Sequence, residues 1–89
     1  MLSKAIEIEA IAPFSIRVCF NDGRVGVHDC APDIAGDGPI VRPLKDPAYF
    51  ARVFLEFGGP NWPNGFDMCP DWLQMTMEVA GELHAAAAE

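Results

Sequence analysis

A base, a carboxylate and a thiol stand in a row at His28-Asp29-Cys30, where this 89-residue chain comes nearest to a catalytic constellation. Thiol hydrolysis needs a cysteine activated by a neighbouring imidazole, which makes His28 and Cys30 the candidate pair. Strand geometry works against them. Successive side chains on a strand point to opposite faces, so His28 and Cys30 share a face only as far as the strand runs, and Asp29 points away from both. The expected roles are structural, with Asp29 satisfying loop amides and Cys30 packing as a small apolar group. A metal centre would have to gather His28, Cys30 and Cys69 with a carboxylate, and the spacing supplies no local ligand pair. No catalytic residue, metal or cofactor is therefore expected. His84 belongs to a terminal helix, where it suits the dipole of the last turn or faces solvent.

A second candidate is the aromatic set Tyr49, Phe50, Phe54, Phe57, Trp62, Phe66 and Trp72. A domain this small has little volume for a ligand cavity, so core packing is the default use. Next comes a protein contact, where Trp and Tyr often dominate the energy.

Composition narrows the partners. Thirteen acidic residues against six basic ones give a net charge of -7, and the basic ones are scattered singly at Lys4, Arg17, Arg24, Arg42, Lys45 and Arg52. Phosphate backbones and anionic lipids are bound through clustered Lys and Arg, so neither nucleic acid nor a membrane is expected. The acidic surface keeps a small protein soluble or suits a basic partner protein. Three cysteines without a CxxC spacing make no disulfide framework, which places the chain in a reducing cytoplasm. Met1 to Glu9 has no signal-peptide core, and no segment approaches the ~20 apolar residues of a membrane span. The hydrophobic half of the chain fits one core and a single domain over residues 1–89. A patch left uncovered would be met by pairing with a second copy.

The elements that must position these residues follow from periodicity. Ile6, Ile8 and Ala10 alternate with Glu7 and Glu9, as in a half-buried strand that ends at Pro13. Ser15 to Phe20 alternates again, with Ile16, Val18 and Phe20 on one side. Asp22-Gly23 suits a two-residue hairpin turn, which would set Asn21 opposite Arg24, Phe20 opposite Val25 and Val18 opposite Val27. From Cys30 to Pro43, prolines and glycines dictate loop, with a helical turn at Pro32 to Ala35. Asp46-Pro47 caps a short helix to about Val53. A short strand follows from Phe54 to Phe57, broken by Gly58-Gly59-Pro60. The last element, from Pro70 to about His84, carries Trp72, Met75, Val79, Ala80 and Leu83 along one face of a helix, with Leu73 and Met77 on its far side. Ala85 to Ala88 extends that helix or frays.

The order of these features resembles the bacterial family catalogued as domain of unknown function 2442. The resemblance runs through Phe20-Asn21-Asp22-Gly23, Val27-His28-Asp29, Leu44-Lys45-Asp46 before Phe50, Asn61-Trp62-Pro63-Asn64-Gly65 and Pro70-Asp71, from about Ala5 to Leu73. It implies a small α+β fold with an antiparallel sheet, no catalytic residues, and for some members a short partner protein encoded alongside, as in toxin and antitoxin pairs. The apolar and alanine-rich continuation after Pro70 departs from the commoner family pattern.

The expected architecture is α+β: a small antiparallel sheet of three or more strands, built on an N-terminal hairpin and packed against a short central helix and a C-terminal amphipathic helix. The expected function is a non-enzymatic protein-interaction module, self-associating or paired with a short neighbouring protein, whose surface comprises Trp62, Trp72, Met75, Val79 and Leu83. The alternative is a small ligand-binding domain or thiol-dependent enzyme using His28, Cys30 and the aromatic cluster.

Overall fold

The computed structural model describes residues 3–85. In chain order it contains strands β1 (Ala5–Ile11), β2 (Ser15–Phe20) and β3 (Arg24–Asp29), two 3-10 turns (Pro32–Ile34 and Arg42–Lys45) and helix α1 (Pro47–Phe50). Strands β4 (Phe54–Glu56) and β5 (Gly59–Asn61), helix α2 (Pro70–Val79) and strand β6 (Leu83–Ala85) complete it. The fold is α+β. One antiparallel sheet has the order β1-β2-β3-β6, and β4 and β5 make a separate two-stranded hairpin. The core gathers Ile16, Val18 and Phe20 of β2, Leu44, Phe50 of α1, Trp62, and Leu73 and Met77 of α2.

The hairpin forms, but its register is one residue away from the expected one. Asn21, Asp22 and Gly23 make a three-residue loop, in which Gly23 N–H donates to the Phe20 carbonyl at 3.0 Å and Gly23 takes a φ of 89°. A glycine in the left-handed region at the third position is the usual way to close such a loop. Asp22 favours it further by accepting from the Arg24 amide at 3.0 Å, a local side-chain turn, and that amide is what chiefly holds the Asp22 carboxyl below its ordinary range. The extra residue sets Cys19 opposite Val25, Val18 opposite Gly26 and Ile16 opposite His28. Phe20 therefore does not face Val25, nor Val18 Val27. Val27 turns to solvent, while Val25 stays buried opposite Cys19 on one side and His84 on the other. Gly26 and His28 take the inner face.

A second irregularity lies in β1. Its pairing with β2 shifts between Ala5 and Glu7, a bulge that turns Ile6 outward and puts Ala5 in the core. Ile8 and Ala10 keep the expected inner positions, opposite Val18 and Ile16.

Asp46 caps α1 as expected, its side chain accepting from the Ala48 amide at 3.0 Å. The helix ends at Phe50 and not near Val53, because Arg52 and Val53 make tighter bonds three residues back, to Tyr49 and Phe50, and the chain then straightens into β4. The β4–β5 turn is Phe57-Gly58, both with positive φ (53° and 76°). A left-handed conformation costs a bulky residue roughly 1–2 kcal/mol and asparagine less, and Phe57 is 92% exposed, so little packing offsets the strain. Phe57→Asn, which creates the Asn-Gly pair this turn prefers, is expected to raise the unfolding free energy by about 1 kcal/mol in denaturant titration.

Helix α2 stops at Val79, short of the expected His84. Gly81 sits just past its end with a φ of 74°. Its N–H donates to the Glu78 carbonyl at 3.1 Å, and Glu82 N–H donates to the Met77 carbonyl at 2.8 Å, the paired closure that a glycine in this position allows. The chain reverses there. Leu83 and His84 belong to a strand, paired with Gly26 and Val25, and the expected continuation of the helix beyond Ala85 lies outside the described residues.

Candidate functional site

Helix α2 has two apolar sides, and the core takes the one the sequence reading placed second. Leu73 and Met77, four residues apart, are fully buried against the sheet. Trp72, Met75 and Val79 follow one another at three and four residues, the spacing of a single helix face, and are 40%, 57% and 85% exposed. Of the five residues expected on an interaction surface, these three form one outward stripe. Leu83 is half-buried in β6, away from the helix. Trp62 must be withdrawn, because it is buried between Phe50 and Phe66 with ring centroids at 5.4 and 5.5 Å. Its indole N–H donates to the Phe50 carbonyl at 2.9 Å. Burial of a ring this large, with its single donor satisfied, is the ordinary fate of tryptophan.

The other constellation lies under the stripe. The register of β3 turns His28 inward, and its side chain is nearly covered. Nε2 lies 2.7 Å from Asp33 Oδ2 in the 3-10 turn, and Nδ1 lies 2.9 Å from Glu82 Oε1 in the reversal between α2 and β6. Burial opposes charge on the imidazole, but the two carboxylates outweigh it and raise its pKa above the ordinary value. The ring of Trp72 stands edge-on to that of His28, centroids 6.4 Å apart. Asp29 points away and accepts from the Ala31 amide at 3.0 Å, as the strand alternation predicts.

Cys30 is fully buried, its amide bonded to the Phe14 carbonyl at 2.8 Å. Burial, and then the negative charges of Asp33, Asp29 and Glu82, push its thiol far above the ordinary range, the reverse of what a nucleophile requires. In native buffer a thiol reagent is expected to label the exposed Cys69 first and the half-buried Cys19 more slowly, reaching Cys30 only on unfolding. Mass mapping of the labelled sites against time checks this order.

His28, Cys30 and Asp33 bring one nitrogen, one sulfur and one carboxylate oxygen within 4.8 Å of one another, a donor set among the described residues that could hold a metal ion. Cys69, which the sequence reading added to such a set, is not in it. It lines an open groove of about 280 Å³ with Asp33, Phe66, Asp67, Met68 and Trp72. The sequence reading missed Asp33 and Glu82. His-x-Cys-x-x-Asp is a local spacing and could have been noticed, whereas Glu82 arrives from 54 residues away through a reversal the reading took for helix. Of the aromatic set, Phe50 and Trp62 are core, Tyr49 and Phe66 pack half-buried against it, and Phe54, Phe57 and Trp72 are exposed; Phe66 and Trp72 also edge the open groove.

No helix among the described residues is long and apolar enough to cross a membrane. What the geometry defines is a small α+β domain with a four-stranded antiparallel sheet, closed by a helix with one face in the core and one in solvent. The chain belongs to the family described as protein of unknown function (DUF2442), whose model matches residues 5–75. No curated protein and no solved structure matches it.

Proposed function

We propose that the chain is a non-enzymatic protein-interaction module that docks a partner on the outer face of α2. The observation that carries this reading is the stripe of Trp72, Met75 and Val79, left in solvent by a helix that has already supplied Leu73 and Met77 to the core. Contiguous exposed apolar patches mark interaction sites, and tryptophan is a frequent energetic centre of such contacts. The surroundings are acidic. Asp71 and Glu78 are the charged residues of α2, Asp33 and Asp67 edge the groove beside Trp72, and the chain as a whole carries -7. A partner presenting an apolar strip rimmed by Lys and Arg complements this face, as a short protein encoded nearby would if basic. A second copy would set like charges against each other.

The thiol-enzyme alternative is disfavoured by the buried, high-pKa Cys30, and the ligand-binding alternative by Phe50, Trp62 and Phe66, which pack on one another. The test begins with partners captured from the source cells and ends with one purified partner titrated against Met75→Glu and Val79→Glu. Both substitutions are at exposed positions, where stability changes of about 0.5 kcal/mol or less are usual, and each is expected to weaken binding at least tenfold. Affinity unchanged by both overturns the surface. Sedimentation across a concentration range decides the self-pairing version, which a strict monomer removes.

A further inference from the structure

We propose that His28, Cys30 and Asp33 form a binding site for a thiophilic divalent cation, zinc by its ligand set, with Glu82 holding the histidine from behind. The inference is independent of the docking face on α2.

The donors come first. An imidazole, a thiolate and a carboxylate are the three ligand types zinc uses, at about 2.0–2.1, 2.3 and 2.0–2.2 Å respectively. Tetrahedral placement at those lengths separates the donor atoms by roughly 3.3–3.6 Å, and here all of them lie within 4.8 Å of one another without any ion. His28 Nε2 and Asp33 Oδ2, at 2.7 Å, must part by about 0.7 Å to reach that spacing, and Asp33 can supply the movement because it stands on a 3-10 turn (Pro32–Ile34) and not in a strand.

The histidine is already oriented. With Nε2 on the side of Asp33, Nδ1–H donates to Glu82 at 2.9 Å, the carboxylate–histidine arrangement that metal sites use to fix the tautomer and raise the basicity of the ligating nitrogen.

A divalent cation reverses the local field, which makes the thiolate the stable form of a coordinating cysteine. Thiolate with imidazole selects zinc over magnesium or calcium, which prefer oxygen. Three protein ligands leave a fourth position, and Asp33, which borders the open groove beside Cys69 and Trp72, is the ligand nearest solvent.

The experiment uses the full-length, reduced protein under anaerobic conditions with Co²⁺ as the probe, followed by displacement with Zn²⁺. Expected are 1:1 binding, a thiolate-to-cobalt charge-transfer band, the visible bands of a tetrahedral ion, and a higher thermal midpoint with Zn²⁺. Cys30→Ala should lose the charge-transfer band and Cys69→Ser should keep it. Glu82→Gln should keep the spectrum but weaken affinity about 10–100-fold. If Cys30→Ala does not fold, the Cys19→Ser/Cys69→Ser double variant, whose one thiol is Cys30, decides the matter. The band present in that variant supports the site, and its absence overturns it. A band that survives Cys30→Ala and vanishes in Cys69→Ser identifies adventitious binding at an exposed thiol and equally overturns the proposal.

Discussion

Trp62→Ala is expected to remove about 3–5 kcal/mol of stability, the usual cost of emptying a large aromatic site in a core. The ring is almost completely buried and lies in a chain of aromatic contacts that runs from Phe14 through Phe50 and Trp62 to Phe66. Removing it opens a cavity bordered by rings from separate segments, which cannot all move inward at once. A domain of this size has roughly 4–13 kcal/mol in total, so the variant should lose a large fraction of its margin and melt far below the parent. Trp62→Phe separates packing from hydrogen bonding. The Phe50 carbonyl loses the indole N–H at 2.9 Å but keeps the Val53 amide at 3.3 Å, so it is not left unpaired. The hydrogen-bond part of the loss should then be only about 1 kcal/mol. Urea titrations of the three proteins, with unchanged slopes, measure both steps. An alanine variant within 1 kcal/mol of the parent, on the scale of a typical single substitution, would show that Trp62 does not anchor the core.

Residues whose local pattern was also their final environment were legible in the sequence. Ile16, Val18 and Phe20 alternate and are all buried on one sheet face, and Asp46-Pro47 begins a helix as its chemistry demands. The Pro, Asn and Gly of Asn61-Trp62-Pro63-Asn64-Gly65 signal a turn, and one forms there, Gly65 N–H donating to the Trp62 carbonyl at 2.9 Å. Register was harder to read, because Asp22-Gly23 fits a two-residue loop as well as the last two positions of a three-residue one, and contacts from elsewhere add to the local bonds that favour the longer loop. Those contacts come from α2: Gln74 donates to Asp22 at 2.9 Å, and Glu78 pairs with Arg24 at 3.3 Å. Both link the loop to a helix more than fifty residues later, beyond any sequence window.

The end of α2 is a different case, since its signal was present. Gly81 lies where a glycine closes a helix, but the apolar run through Leu83 fits continued helical periodicity equally well. That ambiguity conceals the candidate site. With the helix carried to His84, Glu82 would have been one more solvated helical residue; with the reversal, it faces His28 across the sheet edge. The β3 register and the α2 terminus together create the cluster, because each supplies one side of His28.

Gly26→Ala tests that junction and is the second substitution expected to be severe. A Cβ built on Gly26 would lie 1.9 Å from the Glu82 carbonyl oxygen, 2.9 Å from its carbon and 3.2 Å from Met77 Cε. The methionine tip can move aside; the backbone carbonyl cannot rotate away. It is fixed by the reversal, where the Glu82 amide is bonded to Met77, and by the pairing of Gly26 with Leu83 in the next strand. Relief therefore requires β6 to lift from β3, which loses the strand pairing and draws Glu82 away from His28. The expected cost is about 3 kcal/mol, the upper part of the range for overfilled sites, because the obstacle is main chain. Gly38→Ala is the matched control. Nothing lies within 4 Å of its Cβ position, and the unfolded-state entropy lost with a glycine is the same in both variants. Gly38→Ala should fall between neutral and about 1 kcal/mol more stable. Amide exchange should speed up at Val25 and His84 in Gly26→Ala alone. Two variants of equal stability, with those amides equally protected, would mean that β6 does not close on Gly26 and that the carboxylate behind His28 comes from somewhere else.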